Sequence, residues 1–212
     1  MVGEMAVDLA GLVQPWRTAV VTSEIQNGVV GEQALLPALA EVARGTMIPA
    51  VARLVKSARA ASVDIVHATF ERRVDNKGAN VNARLFAALA DTDVKLLRGS
   101  EAAKVVPEVG VEPTDLVLVR THGLNPMSGT ELEPVLRNMG VSTIVVAGVS
   151  VNVAITNLVM EAVNRGFDVV VPRDAVCGVP TDYAAAVIDN TLALLATLTT
   201  VDELVTIWER DA

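Results

Sequence analysis

The chain has 212 residues, 51% of them hydrophobic and 20% charged, with a formal net charge of −8. That length suits one sizeable domain spanning 1–212 and is short for two, and the composition is that of a folding chain and not a disordered one. The acidic balance argues against nucleic acid or an anionic membrane surface as partner, and no apolar run reaches the ~20 residues of a membrane span. Met1 to Ala10 carries Glu4 and Asp8 but no basic residue, unlike a secretory leader. The single Cys177 can form no disulfide within the chain, so a cytoplasmic location is expected. Aromatic residues are only 3%, so the core must be built from Ala, Val, Leu and Ile.

Thr18 to Ser23 is the first of several short runs rich in Val and Ile, which read as buried strands because they lack polar alternation. A helix follows Pro49, with Val51, Leu54, Val55 and Ala58 at i, i+3, i+4 and i+7. Strands are expected at Asp64 to Phe70 and Asp115 to Arg120. Thr130 and Glu133 have capping-box spacing ahead of Leu132, Val135, Leu136 and Met139, and Gly140 is a stop. A strand at Ser142 to Gly148 leads to a helix from about Val151 to Arg165-Gly166. Asp168 to Val171 is the fifth strand, Thr181 to Leu195 the next helix, and Thr197 to Val201 a weaker sixth strand. Strands alternating with helices imply right-handed crossovers and an open, mostly parallel sheet covered by helices on both faces, a three-layer α/β/α class. Ligands bind such sheets beyond the carboxyl ends of the strands. Those ends are Glu24 to Gly28, Phe70 to Arg73, Arg120 to Met127, Gly148 to Ala154 and Asp174 to Pro180.

Four segments resemble the isochorismatase-like (cysteine hydrolase) superfamily. They are Val20 to Asn27; Val117 to Thr121 with Gly129 to Leu132; Gly140 to Ala154; and Arg165 to Ala175. Their order and spacing cover nearly the whole chain. The resemblance implies a six-stranded parallel sheet flanked by helices and a homodimer or homotetramer. It also implies a site in which an Asp takes a thiol proton, a Cys attacks an amide carbonyl, and a Lys stabilises charge. Backbone N–H groups beside a non-proline cis peptide would form the oxyanion hole.

This chain departs at all three positions. The Asp position is Glu24, still a carboxylate but one methylene longer, able to act as general acid or base or to pair with a cation. The Lys position is Arg120, permanently charged and suited to a bidentate grip on a carboxylate. That carboxylate is either a ligand's or Glu24's own, the latter making a simple ion pair. The Cys position is Ala154, whose methyl group cannot attack a carbonyl, so thiol acyl transfer there is excluded. A single designed knockout would not account for three departures. Cys177, in the loop after the fifth strand, is either a displaced nucleophile or a small buried apolar residue.

Val149-Ser150 falls where the family places its cis peptide, and both residues are expected at the substrate. His122 and Glu71 are further expected contacts, on the loops after their strands. One of Arg72 and Arg73 is suited to a carboxylate, and the sequence does not separate them. Asn125-Pro126 stands where many relatives carry Ala-Phe. His67 reads as a core histidine, and the two histidines lack chelating spacing, so no metal is expected. No phosphate-loop or dinucleotide fingerprint occurs, so no cofactor is expected either.

Three functions remain open, one of them ordinary amide hydrolysis through Cys177 as a displaced nucleophile. Some family members lack the Cys and cleave a vinyl ether by protonating it with the strand-one carboxylate; Glu24 would play that part on a small carboxylate- or amide-bearing molecule. It would need a raised pKa, which Arg120 opposes. The remaining alternative is a catalytically inactive relative that binds a small molecule or serves as a structural subunit, with Glu24–Arg120 as a structural pair.

Overall fold

The structure, a computed structural model, describes residues 8–32, 34–90, 92 and 94–211. Seven parallel strands form one sheet: β1 (Thr18–Ser23), β2 (Asp64–Phe70), β3 (Leu116–Arg120), β4 (Thr143–Val149), β5 (Asp168–Pro172), β6 (Val176–Cys177) and β7 (Thr197–Thr199). Their order is β3-β2-β1-β4-β5-β7, with the two-residue β6 added to β4. The six expected strands are all present, and β6 is the additional one. Each crossover returns the chain to a parallel neighbour, so all strands end at the same edge of the sheet.

The helices that matter below are α1 (Pro37–Val42), α2 (Ile48–Ala60), α3 (Arg84–Ala90), α4 (Leu132–Asn138), α5 (Thr156–Asn164), α6 (Thr181–Asn190) and α7 (Val201–Asp211). Successive strand residues point to opposite faces, and the core divides accordingly. Val20, Ile65, Val145 and Val170 pack with α2 and α7 through Val51, Leu54, Val55, Leu204 and Trp208. Ala19, Val21, Val66, Ile144, Val146 and Val169 pack on the other face with Leu132, Leu136, Leu158, Val159 and Ile188 of α4 to α6. The expected three layers result.

Several element boundaries differ from the sequence expectation, each for a local reason. The helix around Pro49 does not begin there. A π-helical turn, Ala43–Met47, joins α1 to α2, and Pro49, which has no N–H to offer Gly45, follows the widened turn. At α4 the Thr130 hydroxyl accepts from the Leu132 N–H at 3.2 Å. Glu133 does not reach back to complete the box; it pairs with Arg165 at 2.6 Å. Gly140, at φ +77°, ends the segment as expected. The α6 helix stops at Asn190, and Leu192–Leu194 becomes a 3₁₀ turn that buries Leu192 and leaves Leu194 exposed. The expected strand from Thr197 gives way at Val201 to α7, whose Trp208 is fully buried and donates its indole N–H to the Val13 carbonyl at 3.0 Å.

Candidate active site

The ends of β1, β2, β3 and β4 border one cavity of about 120 Å³. Glu24 enters it from a backbone held at φ +54°, a left-handed conformation that costs a non-glycine residue about 1–3 kcal/mol. Its own N–H donates to the Ala68 carbonyl at 3.0 Å. This turn swings the carboxylate off the line of β1 and over the ends of β2 and β3.

Arg120, the last residue of β3, meets Glu24 there, with Nη2 donating to Oε1. The Arg120 side chain is 6% exposed and that of Glu24 20%, so the pair is largely removed from water. Arg120 also lies over the Phe70 ring, 4.9 Å from its centroid. Its Nε and Nη1 are buried without a hydrogen-bond partner. Burial pushes the Glu24 carboxyl above its ordinary pKa, and the Arg120 charge and hydrogen bond oppose this without reversing it.

Phe70 is held by a fully buried amide. Gln26 accepts from the Phe70 N–H at 2.8 Å and donates to the carbonyls of Phe70 at 2.9 Å and Ala103 at 2.7 Å. The loop after β1 is thereby tied to the end of β2.

At the end of β4 the Val149–Ser150 peptide is cis. The Val149 carbonyl accepts from the Ser23 hydroxyl at 3.2 Å. Ser150 caps a π-helical turn, Val151–Ile155, through its carbonyl, and Ala154 lies in that turn with its methyl buried. Glu24, Arg120, Val149, Ser150 and Ala154 all line the same cavity. The structure therefore brings together five of the seven expected site residues.

The other two stand apart. His122 is exposed, packed beside Gly129, and absent from the cavity wall, where Gly123 and Leu124 take its place. Glu71 lines a separate groove with Thr69 and Lys104 and lies 3.8 Å from Arg98. Of the two arginines that the sequence left equivalent, Arg73 turns outward to Asp75 at 2.8 Å, while Arg72 lines the cavity. Asn125 is occupied with its own turn, accepting from the N–H groups of Met127 and Ser128.

His67 is fully buried within the sheet. Its Nδ1 is 2.8 Å from the Thr22 hydroxyl and its Nε2 3.5 Å from the Asp115 carboxylate. Burial pushes its pKa down. Among the described residues, no group of three or more His, Cys, Asp or Glu side chains is arranged to hold a metal ion.

Cys177 lies in β6, paired with Val149 in register, yet buried in the core and outside the cavity wall. Burial pushes its thiol up to about 12, so almost no thiolate exists at neutral pH. We expect native protein at pH 8 to resist iodoacetamide and to be labelled once only after denaturation. Mass spectrometry reads this directly, and rapid labelling of the folded protein would reopen a thiol mechanism.

The sequence reading did not locate the apolar wall facing these groups. Leu35, Leu36 and Leu39 come from α1 and its approach, and Leu85, Phe86 and Leu89 from α3. The signal for α3 was the spacing of Leu85 and Leu89, i and i+4 behind Arg84.

The fold has relatives among known proteins. Residues 18–203 match the model of the isochorismatase domain. The uncharacterized isochorismatase family protein YecD of Escherichia coli O157:H7 is 27% identical over 110 residues, 48% of this chain and 58% of that protein. The matched stretch thus spans little more than half of that relative. Among solved structures, a cysteine hydrolase from Pseudomonas syringae pv. phaseolicola 1448A superposes with a TM-score of 0.79 at 22% identity, covering 95% of this chain and 96% of the other. An isochorismatase family protein from Desulfovibrio vulgaris subsp. vulgaris str. Hildenborough gives a TM-score of 0.77 at 25% identity, covering 91% and 98%. Among the described residues, no helix is long and apolar enough to cross a membrane.

Proposed function

The chain belongs to the isochorismatase family, and on that premise we propose that it is a hydrolase that cleaves a small carboxylate- or amide-bearing molecule without a cysteine nucleophile, Glu24 supplying the proton. The observation that carries this reading is the state of Glu24. Its carboxyl sits in the cavity with a pKa raised by burial even in contact with Arg120. A group so placed can hold a proton near the pH at which it must give one up.

On an enol ether, Glu24 donates its proton to the β carbon, and the adjacent oxygen-bearing carbon becomes an oxocarbenium centre. Water adds there, returning a proton to Glu24, and the hemiketal collapses to a ketone and an alcohol. Arg120 orients Glu24 and attracts a substrate carboxylate, whose arrival would weaken the Glu24–Arg120 pair and favour the protonated acid. Ala154 leaves room beside the Val149–Ser150 turn, which faces the reacting oxygen. The family likeness also supports a homodimer or homotetramer as the working state.

NMR-monitored turnover tests this, with isochorismate, simple amides and N-carbamoyl compounds as the panel. We expect cleavage by the wild type, a loss of a hundredfold or more in Glu24→Gln, and no change in Cys177→Ser. The rate should fall as pH rises through the raised Glu24 pKa, because the general acid is then ionised. An inert wild type would sink the hydrolase reading. It would favour a ligand-binding relative, for which the Glu24–Arg120 ion pair is already a sufficient structural role.

A further inference from the structure

The cavity wall mixes two chemistries. Arg120 and Arg72 both lie over the Phe70 ring, with guanidinium carbons 4.9 and 5.8 Å from its centroid. Among the described residues, Arg72 makes no ion pair and no side-chain hydrogen bond. Arg120 engages Glu24 through Nη2, and its remaining two guanidinium nitrogens lack partners. Among the described residues, Glu24 is the only acidic side chain in the wall, which also includes Lys95. The apolar part of the wall is formed by Leu35, Leu36, Leu39, Leu85, Phe86 and Leu89. Leu36 is 39% exposed, and Leu85 and Leu89 are only half-buried, so apolar surface is left facing the cavity.

These two chemistries select against most small metabolites. A polyol or sugar would find few neutral hydrogen-bonding side chains, since among the described residues Ser150 carries the only hydroxyl in the wall, and it would lose hydration without replacement. A cation would face two guanidinium groups. A bare small anion would leave the leucines wet. We propose that the cavity takes an amphipathic organic anion, a carboxylate carrying an aliphatic or aromatic body of about six carbons. The carboxylate rests between the Arg72 and Arg120 guanidiniums at the Phe70 edge, and the apolar body lies against α1 and α3. Burial of the body supplies the affinity, and the guanidinium pair supplies orientation and sign. This proposal specifies the substrate class for the hydrolase reading given above and rests on the same cavity.

Isothermal titration calorimetry with hexanoate, hexan-1-ol, hexylamine and acetate tests it without requiring turnover. Hexanoate should bind at least tenfold more tightly than each of the other three. Arg72→Met should weaken hexanoate at least tenfold and leave hexan-1-ol unchanged. Leu89→Ser, on a partly exposed helix face, should weaken hexanoate and leave acetate unchanged. Circular dichroism confirms that both variants are folded. Equal affinity for hexanoate and hexan-1-ol, or for hexanoate and acetate, would overturn the proposal, as would no binding of hexanoate. Hexanoate binding by a protein that cleaves nothing in the panel leaves this proposal standing and sinks the hydrolase reading; turnover without hexanoate binding does the reverse.

Discussion

Gly148→Ala is expected to cost at least about 4 kcal/mol, a loss reserved for backbone conflicts and severe core defects. Gly148 sits at φ +112°, outside the conformations that residues with a side chain adopt. A Cβ built there would stand 2.2 Å from the Ser23 carbonyl oxygen, 3.0 Å from the Ser23 nitrogen and 3.1 Å from its carbonyl carbon. These are backbone atoms of the central strand, paired with Gly148 in register, and no rotamer change can relieve the contact. β1 and β4 would have to separate where they carry Glu24 and the Val149–Ser150 turn. Against a typical total stability of about 5–15 kcal/mol, the variant should melt about 10–20 °C lower or fail to accumulate. Gly45→Ala is the control: nothing lies within 4 Å of a Cβ there, and calorimetry should show an unchanged or slightly higher melting temperature.

Arg120→Met should destabilise the protein by about 3–5 kcal/mol at neutral pH, because it strands a carboxylate that is largely out of water. The loss should depend on pH with a definite sign. Burial already raises the Glu24 pKa, and removing the cation raises it further. Between the unfolded value near 4.5 and that higher folded value, the native state binds more protons than the unfolded state. Stability therefore falls as pH rises. The variant should lie closest to wild type near pH 4.5 and diverge from it toward pH 8 in urea titrations. Adding Glu24→Gln should recover much of the deficit, since no charge then remains to be buried. Equal losses at both pH values would mean that the pair contributes through packing on Phe70 alone.

The fold was legible in the sequence because its strands are short runs rich in Val with little polar alternation, although β3, expected to be buried, lies at the sheet edge and leaves Val117 and Val119 exposed. Thr18 to Ser23 is buried at every position, so nothing in it imitates a helix. Where hydrophobic period and sterics competed, boundaries slipped. Thr197 to Val201 reads as one run rich in β-branched residues, but Val201, Leu204, Val205 and Trp208 also repeat at i, i+3, i+4 and i+7. Packing against α2 gives that second pattern its helix. β6 is two residues long and carries too little pattern to be read.

The polar half of the site was legible for a simple reason: each group ends a strand, and parallel strands end together. The family resemblance set Glu24 and Arg120 in one site, and their side chains meet across the end of β2, which separates β1 from β3 in the sheet. Glu71 and His122 also follow strands, but Glu71 points away from the cavity that its neighbours Phe70 and Arg72 line, and His122 is carried to the surface beside Gly129. The apolar half comes from two short helices in long loops, whose placement depends on tertiary contacts that no local pattern encodes.

The strand order also has a kinetic consequence. The central pair joins Thr18 to Thr143, so it forms only after most of the chain has been made and a long loop has closed. Such non-local pairing lowers folding rates through loop-closure entropy. A growing chain carries Glu24 and Arg120 well before it carries β4, and on any such intermediate the two charged groups have no cavity to occupy. The ligand affinity proposed above would therefore be a property of the completed sheet. A refolding experiment monitored by hexanoate binding should report the last kinetic phase and none of the earlier ones.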